Sequence, residues 1–104
     1  MAVLEPVPPH PRAAFRVTGR VQGVGFRWWA REEARALSLA GFVRNDPDGA
    51  VSGEVEGEAA ALEAFRVRLS EGPPQARVAD LRWEVDASQG TGAQSLPFPY
   101  EIQR

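Results

Sequence analysis

The sequence predicts an α+β domain with two structural layers. Four segments alternate apolar and polar residues with the period of a β-strand, and two longer segments carry apolar residues at helical spacing. These segments follow the order β-α-β-β-α-β, and a short strand ends the chain. With right-handed crossovers, this order places both helices on one face of an antiparallel sheet. The expected fold is therefore a ferredoxin-like split βαβ sandwich.

A flexible, proline-rich leader is expected at 1–13, followed by one domain at 14–104. Four prolines in the leader remove backbone donors and disfavour regular structure. The first strand is expected at about 14–21. The first helix is expected at about 27–39, with Gly41 as its stop. Its apolar stripe consists of Phe26, Ala30, Ala34 and Leu37.

A hairpin and a second helix are predicted for the middle of the chain. Residues 41–45 and 50–56 have the pattern of short strands, and the Asp-Pro-Asp-Gly sequence at 46–49 is typical of a turn. The second helix is expected at about 58–70 and is ended by the glycine and prolines at 72–74. Its inward residues are Leu62, Phe65 and Leu69.

The fourth strand has the clearest alternation in the chain. Its apolar residues, expected to face the helices, are Ala79, Leu81, Trp83 and Val85. A polar loop at 87–95 leads to a short last strand at about 99–103. Pro97 and Pro99 place this strand at an edge of the sheet, because proline cannot donate to a ladder of backbone hydrogen bonds.

The composition is that of a soluble globular protein with one core. The chain has 104 residues, 43% of them hydrophobic and 25% charged, and its net charge is −2. No block of like charge indicates binding to nucleic acid or to a membrane surface. No apolar stretch is long enough to span a bilayer, and no secretory signal begins the chain. We therefore expect a cytoplasmic protein.

Missing residue types exclude several kinds of chemistry. The sequence has no cysteine, which excludes thiol nucleophiles and zinc–thiolate sites. It has no lysine, because all twelve basic residues are arginines, and this excludes Schiff-base chemistry. The single histidine, His10, lies in the leader, where a general base would be poorly positioned. No metal ligand set is recognisable, and no cofactor is expected.

Residues 19–27, between the first strand and the first helix, form the one unusual segment. Their three glycines allow several backbone N–H groups to converge at a helix N-terminus, which suits an anion. Arg27 opens the helix, and its planar guanidinium can bind two phosphate oxygens. The segment has neither the lysine of a P-loop nor the glycine spacing of a dinucleotide fingerprint. A glycine-rich turn beside a surface arginine is the alternative interpretation.

Asn45 is the only asparagine in the sequence and ends the second strand. Asparagine is common where turns begin, which gives this residue a structural interpretation. A functional interpretation depends on geometry: if the strand ends near the start of the first helix, the amide could orient a water molecule. The residues alone leave both interpretations open.

Two motifs and two shorter segments stand out along the chain. They are Val17-x-Gly19-x-Val21-Gln22-Gly23-Val24-x-Phe26-Arg27 and Gly41-Phe42-Val43-Arg44-Asn45-x-x-x-Gly49-x-Val51, followed by Gly72-Pro73-Pro74-x-Ala76-x-Val78 and Tyr100-Glu101-Ile102. The two motifs resemble the signatures of the acylphosphatase family, and the resemblance runs from about residue 14 to 104. The long leader, Trp28-Trp29, Ala30 and Phe98-Pro99 depart from the family pattern or extend it, and they leave substrate access open.

The resemblance implies a hydrolase that cleaves the carboxyl-phosphate anhydride of small acyl phosphates to a carboxylate and inorganic phosphate. It implies that Arg27 binds the phosphate and that Asn45 positions a water for in-line attack. It also implies that the phosphate itself is a candidate for the base. We expect a monomer that acts on a small molecule without a metal, a nucleic acid or a membrane. The implied phosphate cradle consists of Val21, Gln22, Gly23, Val24, Gly25 and Phe26.

Two other functions stay open at this point. An acylphosphatase-like module can belong to a larger maturation protein that handles carbamoyl phosphate, and a ferredoxin-like domain can bind a partner without catalysis. Asp46 and Asp48 resemble a metal-binding loop only in part and are assigned to the turn. Trp29 and Trp83 are expected in or beside the core, whereas Trp28 is a candidate for the rim of an acyl pocket.

Overall fold

A computed structural model of the chain describes residues 10–85 and 96–103. The predicted loop at 87–95 and residues 1–9 of the leader lie outside the described residues. The elements follow the predicted order. They are β1 (Arg12–Arg20), α1 (Phe26–Ala36), β2 (Ala40–Asn45), β3 (Val51–Glu56), α2 (Ala59–Glu71), β4 (Arg77–Val85) and β5 (Glu101–Ile102).

The five strands form one sheet in the order β4-β1-β3-β2-β5. The pairs β1–β3, β1–β4 and β2–β3 are antiparallel, so β1 and β2 run in the same direction on either side of β3. This topology confirms the predicted split βαβ fold. At the edge, however, β5 pairs parallel to β2, which makes the sheet mixed. The chain enters β5 beside the start of β2, where the Gly41 N–H donates to the Pro97 carbonyl at 2.7 Å.

The apolar sides of both helices and one face of the sheet meet in a single hydrophobic core. Phe65 of α2 is completely buried, and its ring centroid lies 5.9 Å from that of Phe15 and 5.8 Å from that of Tyr100. Trp29 and Trp83 are half-buried against this core, as predicted. Neither helix of the described ranges is long and apolar enough to cross a membrane. The buried helix residues are the predicted Phe26, Ala30, Ala34, Leu62, Phe65 and Leu69.

The first strand begins at Arg12, two residues before the predicted start at 14. The Arg12 guanidinium donates to the Glu56 carboxylate at 2.6 Å, and the two residues are register partners in β1 and β3. Ala13 is fully buried in the core. Residues 12 and 13, which the sequence analysis assigned to the leader, therefore belong to the sheet.

The first helix ends at Ala36, earlier than the predicted end at Leu39. Ser38 has a left-handed backbone conformation with φ of 57°. The N–H groups of Ser38 and Leu39 each donate to a carbonyl of the last helical turn at 3.0 Å, which is the Schellman pattern. Leu39 is fully buried. The left-handed conformation of Ser38 therefore terminates the helix after Ala36. Gly41, the predicted stop, lies inside β2.

A β-bulge changes the inward face of β4. Thr18 pairs with Asp80 and Gly19 pairs with Val78, which leaves Ala79 without a partner on β1. Val78 packs against the core, whereas Ala79, predicted to face inward, is exposed. The extra residue reverses the alternation, so the period-2 pattern was misleading at this end of the strand.

Tyr100 attaches the C-terminal segment to the sheet. Its side chain is completely buried, and its hydroxyl donates to the Phe42 carbonyl at 2.7 Å. The Arg35 side chain donates to the Tyr100 carbonyl at 2.8 Å. Gly41 has φ of 140°, and a Cβ there would lie 2.7 Å from the Tyr100 ring. Burial raises the pKa of the Tyr100 phenol well above its ordinary value of 10.0.

We predict that ionisation of Tyr100 is coupled to unfolding. Below the ordinary pKa of 10.0, the phenol is neutral in both the folded and the unfolded chain. Above it, the unfolded chain releases the proton while the folded chain retains it, so the free energy of unfolding falls as pH rises toward the folded-state pKa. Tyr100→Phe should abolish this fall, at a cost of about 1 kcal/mol at neutral pH for the lost hydrogen bond.

The measurement is denaturant unfolding of both proteins between neutral and alkaline pH. The phenol can also be followed by its ultraviolet absorbance, because Tyr100 is the only tyrosine in the sequence. Appearance of phenolate at its ordinary pKa in protein that is still folded would contradict the burial argument.

Candidate active site

The loop between β1 and α1 turns at two glycines with left-handed backbone. Gly23 has φ of 76° and Gly25 has φ of 75°, values that glycine adopts without steric cost. A Cβ at either position would meet no atom within 4 Å, so glycine is required for its conformation and not for space. Gly25 is also the N-cap of α1, and the loop therefore ends at the positive pole of the helix dipole.

This loop has backbone donors that the fold does not use. Within the described ranges, the N–H groups of residues 22–24 make no hydrogen bond. The first N–H groups of a helix also lack partners inside the helix. Donors at the start of a helix favour a bound anion, because their hydrogens and the helix dipole act with the same sign.

Arg27 is the second residue of α1 and is half-buried. Its guanidinium has neither a hydrogen bond nor an ion pair with any part of the chain that the structure describes. Arg31, one helical turn later, instead pairs with Glu32 at 3.2 Å. Within residues 10–85 and 96–103, no carboxylate therefore neutralises the positive charge of Arg27, which is available to an anion.

Asn45 is the last residue of β2 and is exposed. Because β1 and β2 run in the same direction, both strands end at the sheet edge where α1 begins. Asn45 and Arg27 consequently line one cavity of about 190 Å³. Its lining residues are Val21, Gly23, Gly25, Phe26, Arg27, Trp28, Asn45 and Ile102.

Two members of the predicted phosphate cradle, Gln22 and Val24, are not among the residues that line the cavity. Val24 packs against the hydrophobic core. The Gln22 side chain points to the β2–β3 turn, where its amide donates to the Asp46 carbonyl at 2.8 Å and to the Ala50 carbonyl at 2.9 Å. No local sequence pattern predicts these contacts, because the bonded residues are 24 and 28 positions apart along the chain.

Trp28 and Ile102 supply apolar surface to the cavity. The Trp28 side chain is 59% exposed, although tryptophan is among the most apolar side chains. Ile102 comes from β5, and the sequence analysis gave it no role. The residue belongs to the Tyr100-Glu101-Ile102 segment of the family resemblance, but its place in the cavity was not predicted, because the parallel pairing of β5 with β2 is a long-range contact.

The two carboxylates that follow Asn45 are bound to an arginine of β1. The Arg16 guanidinium donates to Asp46 at 3.1 Å and also to Asp48. The hydrogen bond from Arg16 lowers the pKa of the Asp48 carboxyl below its ordinary value. The Ser52 hydroxyl donates to Asp46 at 2.9 Å. Both aspartates therefore stabilise the turn, as predicted, and neither is among the cavity residues.

A larger cavity of about 510 Å³ lies at the opposite edge of the sheet. The start of β2 and the end of β3 contribute to it, together with the polar residues His10, Glu56 and Glu58. Its carboxylates make it unfavourable for an anion. The cavity beside Arg27 brings Arg27, Asn45 and the β1–α1 loop together and is the candidate active site.

Comparisons with known proteins agree on one family. The sequence profile of the acylphosphatase family matches residues 13–94. The acylphosphatase of Thermococcus kodakarensis is 49% identical over 75 residues, which cover 70% of this chain and 82% of that relative. The crystal structure of acylphosphatase from Bacillus subtilis is similar with a TM-score of 0.81 and 33% identity, covering 90% of this chain and 99% of that one.

The same fold also occurs inside a longer protein. The crystal structure of full-length HypF in the phosphate- and nucleotide-bound form is similar with a TM-score of 0.77 and 28% identity. The similarity covers 95% of this chain and 12% of the HypF chain. One small part of HypF thus resembles the whole described fold.

We predict that inorganic phosphate binds at the β1–α1 loop. In a titration followed by NMR, the backbone N–H resonances of residues 22–28 should shift, and those of β4 should not. Arg27→Gln should weaken the affinity about tenfold or more, because it removes charge-assisted hydrogen bonds. Arg31→Gln is the matched control on the same helix. Shifts centred on the larger cavity, or an Arg27→Gln protein with unchanged affinity, would contradict this assignment.

Proposed function

This chain belongs to the acylphosphatase family, which hydrolyses acyl phosphates to a carboxylate and inorganic phosphate, and we propose that the cavity beside Arg27 carries out this reaction. One observation supports the proposal above others. An arginine, a glycine-rich loop and an asparagine amide meet at one cavity of about 190 Å³, and among the described residues the arginine has no carboxylate partner and the N–H groups of residues 22–24 have no acceptor. These groups match the two needs of the reaction, an anion site and a positioned water.

In this proposal, the phosphoryl group binds between Arg27 and the β1–α1 loop. The guanidinium contacts two phosphoryl oxygens, and the backbone donors of residues 21–26 contact the same group from the other side. Positive charge fixed in place stabilises the charge that moves onto these oxygens in the transition state. Because arginine and amides supply this field, the mechanism needs no metal ion.

Asn45 holds the attacking water opposite the bond that breaks. The water oxygen attacks phosphorus, the bond from phosphorus to the acyl oxygen breaks, and its electron pair leaves with the carboxylate. A carboxylate is a stable leaving group and needs no general acid. The described residues that line the cavity include no carboxylate and no imidazole. We therefore assign the proton of the water to a phosphoryl oxygen, which balances the reaction.

The acyl part of the substrate is assigned to the side of the cavity that Trp28 and Ile102 form. Trp28 lines the cavity and is largely exposed to solvent. Exposed apolar surface at the entrance of a site favours an apolar or planar ligand. In a bound acyl phosphate, the acyl group would extend from the phosphate site along this surface.

We further propose a monomer that acts in the cytoplasm. All the residues that the mechanism uses come from one chain, so a second copy is not required. The composition, which includes no cysteine and therefore no disulfide, supports the cytoplasmic location. The likeness to one part of HypF does not change the proposal, because the relative and the solved structure that match over most of their own length are acylphosphatases.

We predict different kinetic defects for the two polar residues. Arg27→Ala should lower kcat/KM at least about a hundredfold and weaken inhibition by inorganic phosphate, because the guanidinium contacts the anion in both the ground and the transition state. Asn45→Ala should lower kcat while phosphate inhibition stays nearly unchanged, because this residue holds the water. The measurement is steady-state hydrolysis of acetyl phosphate in the presence of a chelator.

Arg31→Ala serves as a matched control, since Arg31 lies on the same helix and outside the cavity. Circular dichroism checks that each variant folds. Normal turnover by Asn45→Ala would remove the water-positioning role. A folded Arg27→Ala enzyme with normal phosphate affinity would show that the anion binds elsewhere, and activity that depends on a divalent ion would refute the proposed source of positive charge.

We predict that Trp28 favours substrates with a planar apolar acyl group. Trp28→Ala should lower kcat/KM for benzoyl phosphate about three- to tenfold more than for acetyl phosphate, in line with the strength of one aromatic contact. Trp28→Phe should retain most of the preference. Phe98→Ala, which removes another exposed aromatic residue far from Arg27, is the control. Equal losses for both substrates would exclude contact between Trp28 and the acyl group.

A further inference from the structure

The side chain of Gln22 has no part in the reaction described so far. We propose that Gln22 is a positioning residue: its amide holds the β1–α1 loop against the β2–β3 turn and thereby fixes the distance between the bound phosphate and the water at Asn45. This inference rests on the proposed roles of Arg27 and Asn45. It concerns the alignment of the two groups and assigns Gln22 no contact with the substrate through its side chain.

The geometry of Gln22 is fully specified by its partners. Its Nε2 donates to the Asp46 carbonyl at 2.8 Å and to the Ala50 carbonyl at 2.9 Å. Both partners are carbonyl oxygens, so only the nitrogen of the amide can face them. Both hydrogens of the amide are used, and this fixes the direction of the side chain as well as its distance from the turn.

The two carbonyls belong to the base of the β2–β3 turn. Asp46 directly follows Asn45, and the Asp46 N–H donates to the Ala50 carbonyl at 2.8 Å. Gln22 therefore holds both sides of the turn at the point where β2 ends. A shift of this point relative to the loop would move Asn45 relative to Arg27.

No second polar contact performs the same task within the described ranges. There, no backbone hydrogen bond joins residues 22–25 to residues 46–50. The Arg16 contacts to Asp46 and Asp48 start from β1 and fix the turn to the sheet instead. Without Gln22, the position of the loop depends on apolar packing, by Val21 and Phe26, which are buried on either side of it, and by Val24, which packs against the core.

The turn keeps its own hydrogen bonds when Gln22 is changed. The Gly49 N–H also donates to the Asp46 carbonyl, at 3.1 Å, and the Asp46 N–H still donates to the Ala50 carbonyl. Neither carbonyl is left without a donor, so a variant at Gln22 is expected to fold. The expected consequence is a displaced loop, and a displacement near 1 Å at a reacting centre can lower a rate about a hundredfold.

The test is a double-mutant cycle between Gln22→Met and Asn45→Ala. Gln22→Met keeps the length of the side chain and removes its donors. It should lower kcat for acetyl phosphate about tenfold to a hundredfold and leave inhibition by inorganic phosphate nearly unchanged. In the Asn45→Ala background, the same change should have little further effect, because the water is already unpositioned. A purely structural role would give equal losses in both backgrounds.

Gln75→Met is the matched control, since Gln75 is exposed and its side chain makes no hydrogen bond in the described part of the chain. Should Gln22→Met fail to fold, Gln22→Asn keeps the amide but is too short to reach both carbonyls, and the same loss of kcat is expected. Normal kcat in a Gln22 variant, or equal losses in both backgrounds, overturns the inference. Normal turnover by Asn45→Ala itself would instead refute the proposed function.

Discussion

The crossover from β1 through α1 to β2 is the constraint on which the candidate site depends. Both strands pair with β3 from opposite sides, so they run in the same direction and end at the same edge of the sheet. The helix must begin where β1 ends, and its N-terminus therefore lies beside the end of β2. This path brings Arg27, in the first helical turn, close to Asn45, the last residue of β2. The hydrophobic core that holds α1 on the sheet keeps the two residues together.

The partners of the arginines distinguish those with a structural role from Arg27, the candidate anion-binding residue. Arg12 and Arg16 bind carboxylates across the sheet, and Arg68 of α2 binds Glu33 of α1 at 2.5 Å. These pairs join separate segments of the fold at partly exposed positions. Arg27 has no such partner in the described ranges, which keeps its field directed into the cavity. The same residue type thus serves as a structural contact in one place and as an anion site in another.

The sequence predicted the elements, their order and the split βαβ topology, because hydrophobic period, turn chemistry and crossover rules all act locally or follow from segment order. The joint site of Arg27 and Asn45 came from the family resemblance, since the residues alone left two interpretations of Asn45 open, and the parallel pairing of β5 was not predicted. It did not predict that Ser38 ends α1 or that Ala79 bulges out of β4, since both depend on how the chain packs. The partners of the Gln22 amide were likewise invisible, because they lie on another strand pair. Apart from the end of α1, the features that the sequence did not predict are contacts between segments far apart along the chain.

The close approach of Gly41 to Tyr100 also constrains how the sequence can evolve. A Cβ at position 41 would lie 2.0 Å from the Glu54 carbonyl as well as 2.7 Å from the Tyr100 ring, and φ is 140°. Removal of the ring would leave the other two obstacles in place. The requirement for glycine at position 41 is therefore set by the β3 backbone and by its own positive φ, whichever residue occupies position 100. A substitution at position 100 cannot make a side chain acceptable at 41, so the two positions cannot change together in compensation.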